Sequence, residues 1–172
     1  EMTVTSVVLS SGLLEIGGVG YAPTGDVASR GVRVGDHERS ALAQVAAAAR
    51  LCNDARIEQN GEGWTPHGDP MEAALIALAG KLETTVGGAA PKAHRLAEIP
   101  FDAKHRYMAT LHEAADGERL IFVKGAPERV LGMCARQRQG EGEGPLAADY
   151  WTAAIHALAR EGHHPLPLAR QR

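Results

Sequence analysis

Residues 99–128 read IPFDAKHRYMATLHEAADGERLIFVKGAPE, and the fold turns on how this stretch is read. Tyr107 and Leu111 alternate with Met108, Thr110 and His112, and Leu120, Ile121, Phe122 and Val123 form a return run after a break. Asp116-Gly117 occupies the break, where glycine tolerates positive φ and aspartate bonds its own backbone. The pattern predicts a β-hairpin. Lys124-Gly125-Ala126-Pro127-Glu128 ends the return strand, and proline followed by glutamate suits a first helical turn. Val130, Leu131 and Cys134 then fall on one side of the helix. A lysine where a strand meets a helix N-terminus, beside a glycine that lets backbone come close, suits an anionic ligand. A solvated lysine before an ordinary strand-to-helix turn fits the same spacing.

IPFD at 99–102, a basic residue, Arg106, two places before Met108, and FVKGAPE at 122–128 together resemble the nucleotide-binding domain of cation-transporting P-type ATPases. The calcium-type and related bacterial cation pumps are the nearest likeness. The resemblance implies an α+β fold, a twisted, mainly antiparallel sheet flanked by helices. The order of strands, helices, hairpin and helix read from periodicity agrees with that class.

The chain has 172 residues, which fits one domain, and the expectation is a single nucleotide-binding domain over 1–172. Its composition is 44% hydrophobic but only 4% aromatic, so the core must be built from Ala, Leu and Val. A net charge of −3 with both signs interspersed gives no basic stripe and argues against nucleic acid as a partner. Cys52 and Cys134 lack metal-ligand spacing, so a reduced setting is the simplest reading. No apolar run approaches the roughly 18–20 residues of a membrane span, so no direct membrane insertion is expected. Without an initiator methionine or signal peptide, the sequence reads as a piece of a larger protein.

Residues 2–8 predict an opening strand rich in β-branched side chains. Gly20-Tyr21-Ala22-Pro23-Thr24-Gly25 is a turn cluster, and a similar GYxPxG occurs in the family. Asp36 is a candidate cap for a helix carrying Leu42, Val45, Ala46 and Ala49 on one stripe to about Cys52. Residues 60–63 read as a loop. Asp69-Pro70-Met71-Glu72 predicts a strong helix start, with the helix ending near Gly80-Lys81-Leu82. Residues 86–91 read as a flexible connection, and 136–144 as a mobile polar loop. Trp151, Ala154, Ile155 and Leu158 repeat at helical spacing, with Trp151 expected in the core. Pro165 and Pro167 confine any strand after Gly162 to a sheet edge.

GDPMEAALIALAGK, from Gly68 on, resembles the family's GDPTEGALL, in which the glutamate reaches the adenine. Glu72 therefore has two candidate roles, a capping-box bond to the Asp69 amide or a contact to the adenine amino group. The resemblance also implies that the adenine stacks on Phe101, otherwise a core or edge aromatic. Arg106, Lys124 and Gly125 would lie at the mouth of the same pocket. His164 stands where the family has a phosphate-contacting arginine, and a zinc site at His163-His164 is the competing reading.

The implied function is that of an ATP-binding domain in the cytosolic part of an integral membrane pump. It would deliver the γ-phosphate to an aspartate on a phosphorylation domain reached through residues 1–8 and 163–172, with that domain and the actuator domain as partners. Mg²⁺ would enter only with the nucleotide and in the missing domain. The chain carries neither DKTGT nor GxxxxGK[ST], so it is expected to bind ATP without hydrolysing it, and no residue in it is assigned a catalytic or metal-binding role. A degenerate or regulatory interaction domain of the same fold is the alternative, and a small hydrolase using His105 or His112 a third reading.

Overall fold

A computed structural model describes residues 1–172. They form two compact units, Glu1–Pro91 and Lys92–Arg172. All strand pairing is antiparallel, and with four helices the fold is α+β.

The first unit opens with β1 (Ser6–Leu9), β2 (Gly12–Ile16), β3 (Val27–Ser29) and β4 (Val32–Arg33), paired in that order. The opening strand is thus shorter than residues 2–8 and is followed by three strands that the Gly-rich passage concealed. Helix α1 (Asp36–Leu51) starts one residue earlier than a cap at Asp36 requires. Gly35 is the N-cap, and its N–H donates to the Glu38 carboxylate at 2.9 Å. Asp36 instead adds negative charge to the first turn, where the helix dipole favours it. Residues 60–63 turn a hairpin of β5 (Arg56–Asn60) and β6 (Gly63–His67).

Helix α2 (Pro70–Val86) begins as the sequence predicts, with Asp69 Oδ1 accepting the N–H groups of Met71 and Glu72 at 2.9 and 3.1 Å. It ends later. Gly80 lies inside it, because a Cβ there would sit 2.5 Å from the Cβ of Pro23. This glycine marks the packing of the 20–25 turn on the helix, and Gly87, left-handed at φ 75°, is the C-cap. Helices α1 and α2 pack on one another, and both bury many small side chains, among them Ala46 and Ala49 on the first and Ala73 and Ala77 on the second. Arg50 and Glu83 pair bidentately across them, both bonds at 2.7 Å. Burial works to raise the Glu83 pKa, but the bond from Arg50, the Ala90 N–H and the Arg50 charge outweigh it and hold it below the usual range.

Lys81 is 2% exposed and donates through Nζ to the carbonyl of Gly17 at 2.9 Å. Burial lowers its pKa, so the folded chain binds this proton less tightly than the unfolded one. Its contribution to stability therefore rises with pH as deprotonation begins, and levels off above the unfolded value of about 10.4. As pH rises toward about 10.4, the wild-type chain should gain stability relative to Lys81→Met. Urea midpoints of the two chains converging or staying parallel checks this, and parallel lines would refute it.

The second unit is built on a four-stranded sheet ordered β12-β9-β8-β7, from β7 (Ala93–Ile99), β8 (Tyr107–Ala114), β9 (Arg119–Gly125) and β12 (Leu168–Gln171). The predicted hairpin is β8–β9. Its turn closes with Asp116 Oδ1 accepting the Glu118 N–H at 3.0 Å and Gly117 at φ 84°. Opposed pairs share a face, and Met108, Thr110 and His112 face Lys124, Phe122 and Leu120, all six buried. Helix α3 (Pro127–Met133) has Pro127 at its first position and buries Val130, while Leu131 is half-buried and Cys134 follows the helix as its C-cap.

Residues 136–144 form a hairpin, not a mobile loop, of β10 (Arg136–Gln139) and β11 (Gly142–Pro145). Their polar composition hid it. Gln137 Oε1 ties this hairpin to α4 (Ala148–Arg160), accepting from the Ala147 N–H and the Trp151 Nε1–H, both at 2.8 Å. Trp151 is half-buried, so it is not the core residue expected. The final strand begins at Leu168, past both prolines, and lies on the sheet edge beside β9.

Candidate functional site

Four of the singled-out residues gather at one end of the second unit's sheet. There β7 finishes at Ile99, β8 begins at Tyr107, β9 finishes at Gly125, and β12 begins at Leu168 opposite Lys124. The β7–β8 connection, residues 100–106, carries Phe101 and Arg106 to that end. The 163–167 segment, with exposed His164, leads into β12 there. Glu72 belongs to the first unit, on the opening turn of α2.

Phe101 is 62% exposed, which removes the core reading. An aromatic ring held in water by its loop is unusual in a chain with two phenylalanines, and the other, Phe122, is 1% exposed. Lys124 is 4% exposed, so a solvated lysine does not fit. Its side chain shares the buried face with Met108 and Leu168, its neighbours across β8 and β12. Gly125 is pressed against the chain opposite: a Cβ there would stand 2.5 Å from the Arg106 carbonyl oxygen and 2.6 Å from Tyr107 Cα.

Arg106 adopts φ 59°, rare for a residue with a side chain. The bonds around it fix that geometry, since its N–H donates to the Asp102 carbonyl at 2.8 Å and its own carbonyl accepts the Ala126 N–H at 2.9 Å. Its guanidinium pairs with Glu128 at 2.6 Å on the first turn of α3. Both partners are solvent-exposed, so the pair is weak and exchangeable. The Glu72 carboxylate accepts the backbone N–H of Asp54 at 3.3 Å.

Sequence reasoning gave Asp102 no role and Glu128 only a place in the first turn of α3. Asp102 organises the 100–106 loop, and the backbone N–H of His105, then its imidazole, hold the carboxyl below the usual carboxylate range. The D of IPFD and the E of KGAPE were visible as motif letters, yet neither spacing showed which cation or amide it would meet. Chemically, this end offers an apolar platform, a buried ammonium and an exchangeable guanidinium, the components of a site for an aromatic anion. No group of three or more His, Cys, Asp or Glu side chains is placed to hold a metal ion, and no helix is long and apolar enough to cross a membrane.

Residues 41–172 match the family model described as P-type ATPase, cytoplasmic domain N. The chain is 36% identical over 148 residues to the cation-transporting ATPase pma1 of Synechocystis sp., covering 83% of this chain and 16% of that protein. It is 38% identical over 138 residues to the calcium-transporting ATPase type 2C member 1 of Homo sapiens, covering 78% of this chain and 14% of that protein. The chain thus spans about a sixth of the length of these relatives. With the antiparallel α+β fold and the gathered PFD and KGAPE segments, these matches place the chain in the P-type ATPase family of cation pumps, as their cytoplasmic domain N.

Proposed function

We propose that this domain binds ATP by stacking the adenine ring on Phe101, with Lys124 and Arg106 supplying positive charge beside it. The observation that carries this is the pairing, at one sheet end, of an aromatic left in solvent with a lysine taken out of it. Stacking of a base on an aromatic side chain contributes on the order of 1–3 kcal/mol, a large share of a weak site's affinity. His164, shorter than an arginine, would give the phosphates a weaker contact, and Gly125 would contribute by holding its two strands together at the mouth.

In a whole pump, an aspartate of a separate phosphorylation domain would attack the γ-phosphorus while the bond to the bridging oxygen breaks and ADP leaves. Mg²⁺ accompanying the nucleotide would neutralise the developing charge. This chain's part is to bind, orient and present the nucleotide.

Calorimetric titration with ATP, with and without Mg²⁺, tests the reading. The expected Kd is roughly 0.1 to a few mM, nearly independent of Mg²⁺ and competed by ADP and AMP. Phe101→Ala should weaken binding by about tenfold or more, and Lys124→Met should weaken ATP more than adenosine. Unchanged affinity in Phe101→Ala would overturn the adenine platform, and ATP turnover by this chain alone would overturn a binding-only role. No ATP binding up to about 10 mM would favour an interaction domain that has kept the fold.

A further inference from the structure

The loop that holds Phe101 is built around one carboxylate. Asp102 Oδ1 accepts the backbone N–H groups of Lys104 and His105 at 2.8 and 2.6 Å, and the Asp102 carbonyl accepts that of Arg106 at 2.8 Å. The second carboxylate oxygen, Oδ2, faces His105 Nδ1. Residues 102–106 are thereby closed on themselves immediately after Phe101.

An ionised carboxylate only accepts hydrogen bonds, so Nδ1 must carry a ring proton. Nε2 is left on a half-exposed ring, a lone pair in the neutral form and a donor in the charged one. The Tyr107 ring meets the imidazole edge-on, with centroids 6.0 Å apart, and adds no charge at neutral pH. Lys104 and Arg106 flank His105 in the chain, and Arg106 is engaged by Glu128 of α3. Asp102 is therefore the anion that meets a proton gained at His105.

We propose that Asp102 and His105 are positioning residues for Phe101, forming a latch over residues 102–106 that tightens when His105 takes up its second proton. The hydrogen bond is present in both protonation states, and the imidazolium adds a Coulombic attraction to it. In this exposed setting the added attraction is worth a factor of a few. A loop ordered beforehand loses less conformational freedom when a ligand docks, so the gain passes into affinity. The latch stands on the loop geometry alone, and its effect on ligand rests on the Phe101 docking reading.

Adenosine is the probe, because it carries no phosphate and does not titrate between about pH 5.5 and 8, where imidazoles do. Its Kd for the wild-type chain should fall about two- to fivefold from the upper to the lower pH. His105→Gln and Asp102→Asn should bind with no pH dependence. Amide-exchange protection at Lys104 and His105, measured without ligand, should rise with acidification in the wild type and stay level in both variants. A pH-independent Kd in the wild type, or a dependence surviving His105→Gln, overturns the proposal. If adenosine binds at no pH, the docking reading fails, and the protection profile alone decides the latch: proton-linked protection lost in Asp102→Asn supports it, and protection indifferent to pH overturns it.

Discussion

Phe122→Ala is expected to lower the stability of the second unit by about 3–5 kcal/mol. The ring lies on β9, the strand flanked by β8 and β12, opposite Thr110 on one side and Arg170 on the other. It is 1% exposed and meets His112 edge-to-face at 5.8 Å. With so few aromatics in the chain, no other ring stands by to fill the space, and the sheet cannot close a cavity without bending paired strands. The loss is a large fraction of the roughly 5–15 kcal/mol that holds a domain together. Each unit has one tryptophan, Trp64 in the first and Trp151 in the second, so a Trp64→Phe background lets Trp151 fluorescence report the second unit alone. The urea midpoint should fall with the slope unchanged. Phe101→Ala in the same background should stay within about 0.5 kcal/mol of wild type, because its ring is already in water. A loss below about 1 kcal/mol for Phe122→Ala would mean the ring is not packed as described. The two phenylalanines thus separate a ring that holds the sheet from one left in solvent, which the proposed function assigns to the ligand.

The parts of the fold legible in the sequence were those fixed by local chemistry. The Asp116-Gly117 turn, the Asp69 cap and Pro127 at the head of α3 each need only neighbouring backbone, so their residue choice is written in place. Gly80 shows the opposite case. Read locally, a glycine near the end of an apolar stripe looks like a terminator, but its cause is Pro23, far away in sequence. Strand pairs without an apolar face were equally hidden. The β10–β11 hairpin has the composition of a loop and is tied to α4 by one glutamine side chain serving two donors.

At the site, residue types were legible and their surroundings were not. Motif letters pointed to Phe101, Arg106, Lys124 and Gly125, and pairing registers bring these four to one sheet end. Burial of Lys124 follows from strand alternation on a sheet whose covered face the sequence could not assign. The partnership of Arg106 with Glu128 spans a strand-pair crossing that no spacing rule encodes.

Gly125→Ala is expected to destabilise the second unit by about 2–3 kcal/mol, and Gly125→Val by more. The added Cβ would meet Arg106 O, Tyr107 Cα and Tyr107 Cβ at 2.5, 2.6 and 2.7 Å. Two of these atoms are backbone, and Tyr107 is held in register against Gly125 while Arg106 is bonded to both Asp102 and Ala126. Relief requires the two strands to separate, at the cost of ladder bonds. A glycine kept for ligand approach would behave differently: alanine would leave stability unchanged and weaken binding directly. The structure places the crowding on the protein side, so the urea midpoint should fall, and ATP affinity measured on the folded fraction should fall only through the altered spacing of the two strands. Full stability with lost affinity would reverse the assignment and make Gly125 a ligand-facing residue. Because Arg106 belongs to the latch loop and Gly125 to the KGAPE turn, the same crowding locks the position of Phe101 to that of Lys124. The close approach at Gly125 is then what gives the two halves of the proposed site a fixed spacing.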